Sequence, residues 1–313
     1  MGKIAFLFSG QGAQYTGMGH SLCEASKAAR DVFALADKIR PGTSEQCFSA
    51  AKEALSLTVN TQPCVYTVDL AAAEALREAG VIPDAVAGFS LGEIAALTFA
   101  KVFRPEEGFS FVCKRGLAMN QAAETEGGGM AAVLKLSDEQ VEELCTRFSR
   151  VYPVNYNCPG QVAVAGEKEE LGRFCEAVAE AGGRAVPLAV SGAFHSPFMS
   201  PAVSELEQVL ASAPVAAPSV TVYSDYTAQP YPAGQNEIRK NIAMQVNHPV
   251  LWRRILESMY AQGIDTFVEA GPGKVLSSLV KKTLPSAAAV HVEDAATLEK
   301  AVAGLMRKED KEC

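Results

Sequence analysis

The sequence predicts an α/β protein built on a parallel sheet, with a small ferredoxin-like unit inserted into it. Three observations predict this. Strand-like runs at Ile4–Phe8, Ala85–Ala87 and Thr266–Glu269 each enter a glycine-bearing turn and then a helical pattern, the rhythm of a parallel sheet. A break at Gly127-Gly128-Gly129 is followed by stretches in the order β-α-β-β-α-β, after which the earlier rhythm resumes. The chain has 313 residues, 48% of them hydrophobic, enough for one large domain and one small one. The expected division is a large domain of residues 1–126 and 192–313 and a small domain of 127–191.

Composition narrows the function. The net charge is −8 and no basic block stands out, so nucleic acid is not an expected partner. No stretch reaches the length of a membrane span, and Ile4–Phe8 is too short for a signal peptide. Cysteines 23, 47, 64, 113, 145, 158, 175 and 313 show no CxxC or paired spacing and sit mostly in apolar patterns. The expectation is buried free thiols in a reducing cytoplasm, with no metal site and no cofactor.

In chain order, Ile4–Phe8 reads as a buried strand ending in Ser9-Gly10-Gln11-Gly12-Ala13-Gln14. That turn lacks the third glycine spacing and the acidic partner of a dinucleotide fingerprint. Helical patterns cover His20–Ile39, Ser44–Leu55 and Thr61–Ala79, with Pro63 suited to a first turn. The strand at Ala85 and a helix from Glu93 to Ala100 follow, then a helix from Pro105 to about Glu124. In the inserted unit, strands are expected at Met130–Leu134, Val151–Asn155, Gln161–Ala165 and Arg184–Val190. One of its helices opens with the capping box Ser137–Gln140, and the other covers Lys168–Ala181. Beyond it come a helix at Ala202–Ala211, a strand at Val220–Ser224, and helices at Asn236–Met244 and Leu251–Gln262. A strand at Thr266–Glu269 and a helix at Val275–Lys282 flank Gly271-Pro272-Gly273-Lys274, which is not a phosphate-binding GxxxxGK loop because its first glycine would fall on Val268. The charged last residues are expected to fray.

The stretch with most chemical content is Gly88-Phe89-Ser90-Leu91-Gly92. G-x-S-x-G between a strand and a helix is the context of a nucleophile elbow, where the helix start below the turn offers unpaired N–H groups to an oxyanion. The plain alternative is an ordinary Gly-Ser turn. On the helix after Pro105, Glu107, Ser110, Lys114 and Gln121 share one face, whereas Arg115 falls with Phe111, Ala118, Met119 and Ala122. An arginine on an apolar face needs a partner, either an internal carboxylate or a ligand's.

A serine needs a base. Of His20, His195, His248 and His291, His195 lies in a small-residue turn, Ser191 to Met199, at the expected domain boundary, where clefts form; His248 is the runner-up. An ordinary α/β-hydrolase runs Ser, acid, His. Between Ser90 and His195 the only aspartate is Asp138, at a helix start, and the glutamates fall on helix starts or solvated faces. With no acid in that order, the pattern points to a Ser–His dyad whose histidine is oriented by a carbonyl or an amide.

Gly10-Gln11-Gly12-Ala13-Gln14, Gly88-Phe89-Ser90-Leu91-Gly92-Glu93, Arg115-Gly116, Gly192-Ala193-Phe194-His195-Ser196, Gln245 before Pro249-Val250-Leu251-Trp252, and Val268 to Lys274 stand in one order. Together they resemble the malonyl-CoA:acyl carrier protein transacylases and the acyltransferase domains of polyketide and fatty-acid synthases, over essentially the whole chain. The resemblance implies an α/β-hydrolase-like core and ping-pong transfer of a malonyl group from malonyl-CoA to acyl carrier protein. It implies Ser90 as nucleophile, His195 as base, the Gln11 and Leu91 N–H groups as oxyanion hole, Arg115 as clamp for the malonyl carboxylate, and Gln245 as the residue orienting His195. Phe194 resembles the malonyl-selective members. The family more usually has histidine before the serine, where this chain has Phe89; that position is not the base. A monomer is expected, with Lys274, Lys281, Lys282 and Arg184 as candidates for meeting an acidic carrier protein. Alternatives are a thioesterase-like serine hydrolase, a non-catalytic carrier-docking subunit, and an acyltransferase serving a polyketide synthase.

Overall fold

The computed structural model describes residues 2–309; Cys313 and the rest of the charged end, 310–313, lie outside the described residues. The chain runs β1 (Lys3–Phe8), α1 (His20–Ala25), α2 (Lys27–Ile39), α3 (Thr43–Ser49), α4 (Lys52–Leu55), α5 (Thr58–Glu78), β2 (Ala85–Gly88), α6 (Gly92–Phe99) and α7 (Pro105–Glu126). Then come β3 (Gly129–Leu134), α8 (Asp138–Cys145), β4 (Val151–Cys158), β5 (Gln161–Gly166), α9 (Lys168–Glu180) and β6 (Arg184–Pro187). The last part is α10 (Ser200–Ser212), β7 (Thr221–Tyr223), α11 (Gln235–Met244), α12 (Trp252–Ala261), β8 (Ile264–Ala270), α13 (Val275–Thr283), β9 (Ala288–Val292) and α14 (Ala295–Glu309).

Five strands form one sheet in the order β7-β2-β1-β8-β9, and every pairing in it is parallel. Central β1 shows why its sequence is continuously apolar. Ile4, Phe6 and Phe8 pack into one cluster with α5, α6 and α7, while Ala5 and Leu7 face a second cluster built on Trp252, Ile255, Leu276 and Leu279. A strand covered on both faces has no polar side to show. The second sheet, β4-β5-β3-β6, is antiparallel throughout and carries α8 and α9, the ferredoxin-like arrangement. Its edge strand β4 is tied to the large sheet's side of the molecule: Tyr156 N–H donates to Val250 O at 2.9 Å, and Val250 N–H donates to Val154 O at 2.8 Å.

Several expected elements differ in detail. The helix expected over His20–Ile39 breaks at Ser26, whose side chain accepts from Ala29 N–H and thereby caps a second helix. The one expected over Ser44–Leu55 breaks at Ala50 and Ala51, both extended. Pro63 stands inside α5, not in its first turn, because the helix starts three residues earlier than expected, at Thr58. β6 ends at Pro187 instead of Val190. The C-terminal helix α14 has no counterpart in the sequence reading; Ala301 and Leu305 of it join the core. The capping box at Ser137 and Gln140 is present in both directions. The seven described cysteines are all free, and four of them (47, 64, 145, 158) are buried. No described helix is long and apolar enough to cross a membrane.

Candidate active site

The site lies at the carboxyl ends of β1, β2 and β8, where open parallel sheets place their ligands. Ser90 follows β2 directly and has φ 56°, a left-handed conformation that side-chain-bearing residues rarely adopt. The flanking glycines are steric requirements. A Cβ on Gly88 would lie 2.0 Å from the Gly92 carbonyl carbon, and one on Gly92 would lie 2.4 Å from Phe8 O. The turn is therefore wedged between the end of β1 and the start of its own helix, with no space for a side chain at either glycine.

Ser90 Oγ and His195 Nε2 are 2.7 Å apart, although the residues are 105 positions apart in sequence. On the other side of the ring, Nδ1 lies 3.0 Å from Gln245 O and 3.2 Å from His248 O. Both partners are carbonyl oxygens, so Nδ1 carries the hydrogen and Nε2 presents its lone pair to the Ser90 hydroxyl. His195 is buried, and burial together with the Arg115 charge lowers its pKa to about 4, against the opposing pull of the two carbonyls. Near neutral pH the ring is thus an uncharged base.

Arg115 is 1% exposed. Its Nη1 donates to Gln62 Oε1 at 2.9 Å, and its Nη2 donates to Gln245 Oε1 at 2.7 Å and to Ser90 Oγ at 3.3 Å. Nε has no partner among the described residues. Burial lowers its pKa to about 10, so the guanidinium remains charged at neutral pH. No carboxylate bonds it directly among the described residues. Its countercharges, Glu93 and Asp225, act at longer range.

Those two acids were not picked out in the sequence. Glu93, expected at a helix start or on a solvated face, is fully buried, accepts from the Tyr231 hydroxyl, and accepts from Asp225 N–H at 2.5 Å. Burial pushes its pKa up to about 7. Asp225 is fully buried too, and burial followed by the Glu93 charge moves its pKa upward. Its Oδ2 accepts from Ser90 N–H at 2.7 Å and from Gln245 Nε2 at 3.2 Å. Gln62 was not assigned to the site either, and His248, the runner-up base, reaches it only through its backbone carbonyl at His195 Nδ1. The signal available for Asp225 was its place in a polar turn just past an apolar strand.

A cavity of about 300 Å³ reaches Ser90 and His195 and is lined by Gln11, Phe89, Met119 and Phe194 and by Asn155 and Asn157 of β4. Gln11 lies in the loop after β1, and its side chain donates to Thr58 Oγ1 at 3.4 Å. Leu91 is fully buried and precedes the first residue of α6, so its N–H is among those the helix leaves unpaired. All six residues singled out in the sequence thus sit in one place: Ser90, His195, Arg115 and Gln245 in one hydrogen-bonded cluster, Leu91 next to the serine, and Gln11 on the cavity wall. Phe89 packs its ring edge-on against Trp252, with centroids 5.4 Å apart, and lines the cavity beside Ser90. His20 and His291 lie elsewhere, on α1 and β9, and Asp138 pairs with Arg253 at 2.9 Å.

Comparison with known proteins gives one answer at three levels. The sequence model of the acyl transferase domain family matches residues 5–313. A malonyl CoA-acyl carrier protein transacylase of Bacillus subtilis is 37% identical over 316 residues, with 99% of each chain covered. Among solved structures, the corresponding transacylase of Clostridium perfringens superimposes with a TM-score of 0.94 at 36% identity, covering 99% of both chains. A malonyl-transacylase solved with its type II PKS acyl-carrier protein gives a TM-score of 0.93 at 32% identity, covering 96% of this chain and 99% of that one.

Proposed function

The chain belongs to the acyl transferase family, and on that premise we propose that it carries a malonyl group from malonyl-CoA to the phosphopantetheine thiol of acyl carrier protein, in fatty-acid biosynthesis. Ser90 is the nucleophile. As its Oγ bonds to the thioester carbonyl carbon, its proton passes to His195 Nε2. The carbon–sulfur bond breaks, and the CoA sulfur takes that proton from His195 as it leaves. In the second half, the carrier's thiol gives its proton to His195, its sulfur bonds to the ester carbonyl carbon, the bond from that carbon to Ser90 Oγ breaks, and Oγ takes the proton back from His195. The Gln11 and Leu91 N–H groups stabilise the oxyanion in each half. Arg115 holds the free carboxylate of the malonyl group, which keeps the ester carbonyl in place while the cleft is filled.

The observation that carries this reading is the pairing of one hydroxyl with two partners: Ser90 Oγ stands 2.7 Å from a neutral imidazole nitrogen and 3.3 Å from a buried guanidinium. The base activates the hydroxyl, and a charged fork beside it suits an acyl group that ends in a carboxylate. The test is to incubate the purified protein with malonyl-CoA, with and without holo-carrier protein. Malonyl-carrier should form, and free malonate should stay a minor product; free malonate as the main product in both arms would mean a hydrolase. A second reading, service to a polyketide synthase, draws on the relative solved with a type II PKS carrier. Supplying carrier proteins of both kinds as acceptors separates the two.

We also propose the division into a catalytic domain of 1–126 and 192–313 and an inserted domain of 127–191, since the antiparallel sheet lies wholly within the latter. Free thiols and the absence of a membrane-spanning helix among the described residues support action in the cytoplasm.

A further inference from the structure

We propose that Asp225 is a positioning residue for acylation: its carboxylate holds the backbone of Ser90 in the left-handed conformation that aims Oγ at His195. This rests on the reading of Ser90 as nucleophile. Ser90 has φ 56°, and nothing in its own turn satisfies its N–H. Asp225 Oδ2 accepts that N–H at 2.7 Å across a sequence separation of 135 residues. The Ser90 carbonyl receives the Gln245 side-chain amide at 2.7 Å, and the same Nε2 donates to Asp225 Oδ2 at 3.2 Å. Both peptide groups of the strained residue are therefore clamped by side chains that also bond each other.

Asp225 is itself fixed. Its N–H donates to Glu93 Oε2 at 2.5 Å, and its carbonyl accepts from Leu251 N–H at 3.0 Å. Glu93 is in the first turn of α6, the helix the elbow leads into, so the chain of contacts closes on itself. Tyr231 holds the other oxygen of Glu93. Neither Asp225 nor Glu93 lines the cavity, so Asp225 acts through Ser90 and not on the acyl group. Its second oxygen, Oδ1, has no partner among the described residues. The function needed is one acceptor at the Oδ2 position, and an amide oxygen can provide it.

The test measures kcat and KM for malonyl-CoA, with carrier protein as acceptor, in the native enzyme, Asp225→Ala and Asp225→Asn, alongside thermal melts. In Asp225→Ala, kcat should fall about 10²-fold, the scale of an ångström-sized misplacement, with KM within about twofold. Asp225→Asn should restore kcat to within about fivefold of native. An undiminished kcat in Asp225→Ala overturns the proposal. So does an equal loss in both variants, or a loss expressed in KM alone. Should Asp225→Ala not fold, Asp225→Glu serves: the acceptor is kept but displaced by one methylene, so kcat should fall about tenfold at unchanged KM. A native rate in Asp225→Glu then overturns it. A native protein that forms no acyl-enzyme would instead remove the nucleophile reading itself.

Discussion

Arg115 Nη2 donates both to Ser90 Oγ, at 3.3 Å, and to Gln245 Oε1, at 2.7 Å, while the backbone oxygen of Gln245 receives His195 Nδ1 at 3.0 Å. Arg115, the proposed nucleophile Ser90 and the proposed base His195 thus share one glutamine. The arrangement separates what each side chain should contribute when it is removed.

Arg115→Ala should lower kcat/KM for malonyl-CoA about 10²–10³-fold, the scale of a lost charged, bidentate contact. Transfer of an acetyl group, which has no carboxylate to grip, should change by less than about tenfold. Steady-state assays with both donors check this, and equal losses would exclude the clamp.

Ser90→Ala should form no acyl-enzyme on incubation with malonyl-CoA, as read by intact-mass spectrometry. His195→Ala should still bind the donor but acylate about 10²–10⁴-fold more slowly, the range of a single general base. A full-mass malonyl adduct on Ser90→Ala would place the nucleophile elsewhere.

The step that His195, the proposed base, contributes to the pH profile of acylation should lie below about pH 5, because its pKa is depressed to about 4. Stability shares the sign. The unfolded histidine titrates near 6.5, so below that pH the unfolded chain binds the extra proton. The stabilisation from neutral His195 is complete above about pH 6.5 and is lost as pH falls towards about 4. Pre-steady-state acylation across pH, with melts at each pH, distinguishes the two effects. A rate that halves between pH 7 and 6 in Glu93→Gln as well as in the native enzyme would contradict the depressed value.

Gly88→Ala should destabilise the fold by about 1–3 kcal/mol or more, since the new methyl group meets backbone, not a movable side chain. Any folded fraction should acylate poorly, because relief of the clash moves Ser90. Denaturant unfolding and single-turnover labelling check both parts.

What the sequence disclosed followed the range of the interaction. The elbow was legible because its strand, turn and helix are contiguous, and Arg115 stood out because a charge on an apolar helix face violates a local pattern. The absence of an acid for His195 was also legible and agrees with two carbonyls at Nδ1. Asp225 and Glu93 were not legible. Glu93 in a helix's first turn looks like any solvated acid, and only the packing of α6 against β1 and β2 makes it buried. The breaks at Ser26 and Ala50 escaped for a related reason: each is settled by contacts outside the segment, such as Ser26 Oγ donating to Glu78 at 2.6 Å.

The separations within the Ser90 cluster bear on how the protein is made. His195, Asp225 and Gln245 follow the serine by 105, 135 and 155 residues, and β8, which pairs with β1, is later still. A chain emerging from the ribosome therefore carries its reactive hydroxyl long before it carries anything able to aim or deprotonate it. A chain that stops short of Gln245 lacks the groups that bond Ser90, so the cluster is assembled only after the segments that follow the elbow have been made.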